Sequence, residues 1–322
     1  MFEILKRLEY DSVLDLFSGT CSVAYEFKRL GKRVVCNDYL KANYYTALAL
    51  IENDDKKLTE AEVEGILFRR EDIDYPTFIQ DTFKGIYYKD DENLWLGTTL
   101  SNIRRIDNEY QKALAFHALF QSCLIKRPFN LFHRKNLYLR LAKVERTFHN
   151  HKTWEKPFPV YFTQFISEAN NCVFSNGQNN KALNRDASSI DQTDFDLVYI
   201  DPPHISPNGR TTDYQYLYHF LEGMSDYEEW PKMIDYRTKN RRLKHKPNPW
   251  HSKRRIEQAM DDIFGRFKES ILVVSYRSPG FPSEQRIIEL LQRHKKRVEA
   301  YHTPSKYVLS NLANYEILLV AT

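Results

Sequence analysis

Residues 12–20 read SVLDLFSGT, an apolar run that ends in a Ser/Gly/Thr turn. Such a run suits a strand buried on both faces, the environment of a parallel sheet. A helix is expected next over 21–30, stopped by Gly31. RVVCND (33–38) gives a second strand ending at Asn37 and Asp38, and 41–52 reads as another helix. Strand, helix, strand, helix at this spacing predicts a parallel α/β sheet. Ligands in such sheets sit beyond the carboxyl ends of the strands, where Asp15, Gly19 and Asp38 fall.

Outward from this start the alternation lapses after residue 55. A long helix is expected over 100–125, with Ile103, Ile106, Tyr110, Ala113, Phe120 and Leu124 in one apolar stripe. His117 shares that stripe and reads as a core histidine. The region to about residue 171 reads as a mainly helical insertion. Strand patterns return in KALNRDA (181–187) and DLVYID (196–201), then in ILVVSY (271–276), RVEAY (297–301) and YEILLVA (315–321). The last two suit a closing hairpin, so the expected fold is α/β, a mostly parallel sheet with a C-terminal antiparallel hairpin and a helical insertion.

The 322 residues, 42% of them apolar, suffice for one sizeable core and an accessory lobe. The first ten residues, MFEILKRLEY, lack the pattern of a secretory leader, and no apolar run approaches the ~18 residues of a membrane span. The expectation is a soluble, intracellular chain with no membrane partner. Cys21, Cys36, Cys123 and Cys172 have neither C-x-x-C nor Cys/His spacing, which argues for buried thiols over zinc or disulfides.

Charge is unevenly distributed. Residues 126–152 hold eight Lys/Arg against one acid, and 237–255 hold nine against none, while the whole chain carries only +4. An acidic body with two basic stretches suits a polyanion. Phe129, Phe132, Tyr138, Phe148 and Trp250 interleave with the cations and offer stacking surfaces for bases. Lys126, Arg127, Arg134, Lys135, Arg241, Arg242 and Lys244 are the candidate phosphate-binding cations. The plainer alternative for each run is a solvated face.

The strand ends carry the chemistry. The DLFSGT turn (15–20) lets backbone amides approach a small ligand, and Asp38 follows at the distance expected of an acceptor for ribose hydroxyls. No G-x-G-x-x-G phosphate cradle is present, which favours S-adenosylmethionine over NAD or ATP. In DLVYIDPPH (196–204) an acid follows a buried strand, then two prolines and a ring. Asp201 and the carbonyl of Pro202 can accept two N–H bonds from a planar amine, and His204 can stack on its ring. Plainer roles exist: Asp15 and Asp38 as helix caps, Asp186 as the start of a turn, and Tyr214, Tyr216, Tyr218 and Phe220 as core packing.

DLFSGT, the following ND, LNRDA (183–187), DLVYIDPPH and ILVVSY occur in an order that resembles the Dam-like N6-adenine DNA methyltransferases. The resemblance spans the chain and implies a Rossmann-like methyltransferase sheet. It assigns Asp15, Phe17, Ser18, Gly19, Thr20, Asp38, Asp186 and Ala187 to S-adenosylmethionine, and Asp201, Pro202, Pro203 and His204 to a flipped adenine. It further implies methylation of adenine N6 in double-stranded DNA, no metal, a restriction nuclease as possible partner, and a prokaryotic or viral-host cytoplasm. The expected parts are 1–55, 172–205 and 265–322 as core, 56–171 as target-recognition insertion and 206–264 as a basic DNA-contacting insertion. Three departures stand out: Cys21 replaces the second glycine of F-x-G-x-G, His204 replaces the usual tyrosine, and only eleven residues precede Ser12, where the family carries a further lysine motif. Two other readings stay open, methylation of RNA or a protein amide, and a non-catalytic DNA-binding relative.

Overall fold

A computed structural model describes residues 1–142, 150–305 and 314–322. The first of its two compact units comprises Met1–Tyr39, Asn176–Asp213 and Lys246–Thr322; the second comprises Leu40–Ser175 and Tyr214–His245. The division therefore falls at 39/40 and 175/176 instead of the expected 55/56 and 171/172, and segment 206–264 is shared between the units. The earlier first border has a packing cause. Helix Lys41–Ala47 lies against helix Glu109–Ile125, with the rings of Tyr45 and Phe116 stacked at 4.3 Å.

The first unit is built on seven strands: β1 (Ser12–Asp15), β2 (Arg33–Asn37), β3 (Lys181–Leu183), β4 (Leu197–Ile200), β5 (Ile271–Ser278), β6 (Val298–Ser305) and β7 (Asn314–Ala321). Their order is β3-β2-β1-β4-β5-β7-β6. Pairing is parallel from β3 through β5, and β7 runs antiparallel to both β5 and β6. This is the expected sheet, hairpin included. Every residue of β1 and β4 is buried, as the unbroken apolar runs required. Leu14, Val198, Ile200, Leu272, Val274, Ile317 and Leu319 share one core cluster with Ile263, Phe264, Ile287 and Leu291 from helices Ile256–Arg266 and Glu284–Gln292.

Helix Ser22–Arg29 ends as its sequence dictates. Gly31 stands at φ 77°, its amide donates to the Lys28 carbonyl (3.0 Å), and the Lys32 amide donates to that of Phe27 (3.1 Å). These are the paired bonds of a Schellman motif, whose left-handed position favours glycine. The chain starts at β1, moves outward to β2 and β3, and returns to place β4 on the other side of β1. That reversal opens a crevice at the carboxyl ends of β1 and β4.

The second unit is mainly helical, led by Asp90–Arg104, Glu109–Ile125 and Phe158–Cys172. The single helix expected over 100–125 is two helices. Asn108 starts the second, its side chain accepting the Tyr110 and Gln111 amides, a capping role that outweighs continued apolar periodicity. His117 takes the expected core role: burial lowers its pKa to about 4, and its Nδ1 pairs with the Thr46 hydroxyl at 3.2 Å. Among the described residues, no helix is long and apolar enough to cross a membrane.

Candidate functional site

Three loops at the carboxyl edge of the first unit are tied together by side chains from the end of β2 and the turn after β3. Asn37 is 1% exposed. Its Nδ2 donates to the carbonyls of Leu16 (3.2 Å) and Arg185 (3.1 Å), its Oδ1 accepts the Arg185 amide (3.1 Å), and its own carbonyl accepts the Ser18 amide (2.9 Å). Asn184 Nδ2 donates to the carbonyls of Asp38 (2.8 Å) and Tyr39 (3.1 Å). Asp38 Oδ2 accepts the Gly19 amide at 2.8 Å, so this acid orders the DLFSGT turn. Asp186 caps the short turn Ala187–Ser189 through the Ser188 amide at 2.9 Å. Ala187 is buried in the core cluster, and Thr20 is exposed with its hydroxyl 2.9 Å from that of Ser22.

Gly19 at φ 50° and Cys21 at φ 62° shape the turn. Left-handed backbone costs a side-chain-bearing residue about 1–2 kcal/mol, so the glycine of the related pattern is the better backbone fit at 21. The Cys21 side chain is turned inward, 1% exposed, with Sγ 3.8 Å from the Gly19 carbonyl.

Buried polar atoms without a hydrogen-bond partner cluster on this edge. Among the described residues of the first unit they belong to Asp15 (both oxygens), Ser18 (Oγ), His204 (Nδ1), Trp250 (Nε1) and Ser270 (Oγ). Native proteins pair most such atoms, so unpartnered atoms on four residues at one edge, Asp15 foremost, point to a ligand. Asp15 is the strongest case. Burial, then the charges of Asp201 and Asp38, hold its acid well above the usual carboxylate range. The backbone amides of Ala24 and Phe17 pull the other way, but neither reaches hydrogen-bonding geometry. A cationic amine is the partner that reverses both penalties. Phe17, edge-on to buried Trp250 with centroids 4.8 Å apart, gives the same crevice an apolar wall. A ligand that carries a cationic amine and an apolar or aromatic part fits these acceptors and this wall.

Asp201 follows β4 directly and remains open to solvent. The strand ends crowding it, and after them the Glu316 carboxylate, push its acid up to about 6. The groups around it desolvate the acid even though its residue meets solvent, and that desolvation sets the upward direction. Pro202 is buried and Pro203 half-buried. His204 is half-buried, its ring centroid 5.6 Å from that of Tyr276 at 56°. Burial, then the Arg277 charge, lower its pKa below the ordinary histidine value, which leaves a neutral ring near pH 7. Asp15, the Phe17–Gly19 turn, Asp38, Asp186 and the Asp201–His204 segment thus share one edge of one unit.

Sequence reasoning missed several neighbours. Tyr276, Arg277 and Gly280 lie in SYRSPGFP (275–282), whose Gly and Pro after a strand were a legible sign of another carboxyl-edge loop. Glu316 had no such signal. It reaches the edge because β7 is antiparallel and pairs it with Arg277.

The second unit holds the basic candidates and divides them. Lys126 and Arg127 are corrected as phosphate-binding cations, each being 1% exposed. Lys126 Nζ donates to the Trp154 carbonyl (3.0 Å) and pairs with Glu92 (2.9 Å). Arg127 donates to the carbonyls of Leu131, Tyr87 and Arg134 and lies 4.4 Å over the Tyr87 ring. Arg134, Lys135, Arg242 and Lys244 lie at the surface, and Arg241 is held against Tyr236. The two basic stretches meet in space. Tyr87 Oη lies within hydrogen-bonding distance of the carbonyls of both Phe132 (2.7 Å) and Asn240 (2.9 Å), Tyr216 Oη donates to that of His133 (2.7 Å), and Arg242 lies 5.3 Å over the Tyr216 ring. Of the interleaved aromatics, Phe129 and Tyr138 are exposed, whereas Phe132 and Trp250 are core. Phe148 lies outside the described residues. Phe220 is fully buried and stacked on Phe132 at 5.1 Å, while Tyr214 is exposed.

Residues 2–263 match the family model for D12 class N6 adenine-specific DNA methyltransferase. The chain is similar to the Type II methyltransferase M2.HphI of Haemophilus parahaemolyticus, at 26% identity over 97% of this chain and 90% of that protein. It also resembles Modification methylase StsI of Streptococcus sanguinis, at 25% identity over 95% of this chain. Type II methyltransferase M.FokI of Planomicrobium okeanokoites is 27% identical over 87% of this chain. The matches span 47% and 42% of those two longer proteins.

Proposed function

Because the chain belongs to the D12 class of N6 adenine-specific DNA methyltransferases, we propose that its first unit binds S-adenosylmethionine beside a flipped adenine and that its second unit presents the DNA-facing cations. The observation that carries this reading is Asp15: a buried carboxylate with neither oxygen hydrogen-bonded, at the end of β1, on the strand adjacent to the one that Asp201 follows. S-adenosylmethionine, when bound, supplies an electrophilic methyl group. Asp15 would offset the charge of its ammonium, the Phe17–Thr20 turn would cover it, and Asp38 and Asp186 would hold its ribose and adenine ends.

Asp201 and the Pro202 carbonyl would accept the two N–H bonds of the target amine and so fix its orientation, leaving its lone pair free for a methyl donor. Such orientation, more than a strong nucleophile, is what direct transfer needs. Pro203 stiffens the segment, and His204 stacks on the base, which must leave the duplex to reach it. The amine proton leaves after methylation has acidified it, and Asp201, with an acid near 6, receives it. The relatives' names, Type II methyltransferase and Modification methylase, support a modification role; a nuclease that cuts the same sequence, in the same cytoplasm, is the partner this role would have. Long-read sequencing of DNA from expressing cells tests this: modified adenines in one sequence context are expected, and their absence rejects it.

His204→Ala should lose the ~1–3 kcal/mol of a base-aromatic stack, roughly a 5- to 150-fold fall in single-turnover rate, while His204→Phe stays active. A general base would instead make Phe as poor as Ala across pH 5.5 to 8.5, and equal activity in all three would remove His204 from the site.

Replacing Arg134, Lys135, Arg242 and Lys244 together by Gln should flatten the log-log salt dependence of DNA binding by about 0.9 for each phosphate these cations neutralise. An unchanged slope, measured by fluorescence anisotropy, would show that they face only solvent.

A further inference from the structure

The loop after β5 contains a glycine with no space for a side chain. A Cβ on Gly280 would stand 2.6 Å from the Arg277 carbonyl oxygen, 2.7 Å from Cε1 of Tyr276 and 3.0 Å from Cε1 of His204. The backbone at Gly280 is not left-handed, so glycine is required here for room and not for conformation.

The surroundings of this gap are fixed. Tyr276 Oη donates to the Phe281 carbonyl at 2.5 Å, and the Phe281 amide donates at 2.8 Å to the carbonyl of Ile205, the residue after His204. The Thr212 amide donates to the His204 carbonyl at 3.2 Å. Backbone on both sides of the imidazole is therefore tied down. The ring itself lacks a bond through Nδ1 and rests against Tyr276 by packing.

We infer that Gly280, with the Tyr276 ring, is a positioning pair for His204: the missing side chain lets the imidazole settle back against Tyr276 and leaves its other side for the target base. The inference rests on the stacking role proposed for His204. A side chain at 280 would force the imidazole forward, the loop outward, or both. Transfer geometry is sensitive to such displacement, since about 1 Å of misplacement can cost on the order of 10²-fold in rate.

The test is a double-mutant cycle under single-turnover conditions, with Gly280→Ala placed in the parent and in His204→Ala. In the parent, Gly280→Ala should reduce methyl transfer about 10- to 100-fold, with calorimetric affinity for S-adenosylmethionine kept within about twofold. In the His204→Ala background the same change should cost less than about twofold, because the group it displaces is gone. Equal losses in both backgrounds, or no loss in the parent, would overturn the positioning role while leaving the stacking role intact. A fully active His204→Ala would overturn both. If Gly280→Ala does not accumulate as folded protein, Tyr276→Phe carries the same cycle: it keeps the ring, frees the loop from its bond to Phe281, and should slow only the parent. An equal effect in both backgrounds would reject the inference.

Discussion

Asp201→Ala is expected to reduce methyl transfer by about 10²- to 10³-fold or more, the scale seen when one preorganised polar group at a reacting centre is removed. Affinity for DNA should stay within a fewfold, because the contact proposed for Asp201 is to the amine and not to a phosphate. Near-normal turnover would remove the adenine from this end of β4. The same residue sets a pH dependence. With its acid at about 6, Asp201 below that pH becomes a hydroxyl donor facing an amine that needs acceptors. Single-turnover rates should therefore fall about tenfold per unit as pH drops below 6. Asp201→Asn keeps a carbonyl acceptor and should lose this acid limb. For stability the sign is opposite: a carboxyl raised from about 3.9 favours the neutral form, so its contribution is fully present below the unfolded value and is lost as pH rises toward 6. Asp201→Asn should accordingly be no less stable than the parent at pH 7, measured by thermal denaturation.

Asp15→Asn is expected to weaken S-adenosylmethionine binding strongly. Removing one partner of a buried charge pair costs about 2–5 kcal/mol, roughly 30- to several-thousand-fold in Kd. Without cofactor the variant should be more stable than the parent at pH 7, since Asp15 is buried with neither oxygen hydrogen-bonded and its acid is raised. That gain should shrink toward zero as pH falls to about 4, where the unfolded carboxyl also protonates. Weaker binding with higher thermal stability is the signature of a strained group kept for its ligand. Unchanged affinity, by calorimetry, would assign Asp15 a structural role only.

The carboxyl edge of the first unit was legible in the sequence because β1 and β4 are short, apolar and placed before turns that chemistry marks. SVLDLFSGT and DLVYIDPPH show both the burial of β1 and β4 and the acids at their ends. The antiparallel partner Glu316 was not legible, since only sheet register brings it to the edge. Basic residues misled in a different way. A count of charges cannot distinguish Arg134, open to solvent, from Arg127, whose guanidinium is spent on carbonyls inside its own loop. The split of the expected helix at Asn108 follows the same logic, a local capping bond winning over periodicity. Cys21 was legible as a departure, but its inward orientation was not.

The most direct test incubates the purified chain with methyl-tritiated S-adenosylmethionine and separate pools of duplex DNA, RNA and protein, then resolves the labelled product by chromatography. Label is expected in N6-methyladenine from duplex DNA, at an initial rate that Asp201→Ala cuts by about 10²-fold or more. Label confined to RNA, to protein or to another base, or label that Asp201→Ala incorporates at the parent's rate, would contradict the account.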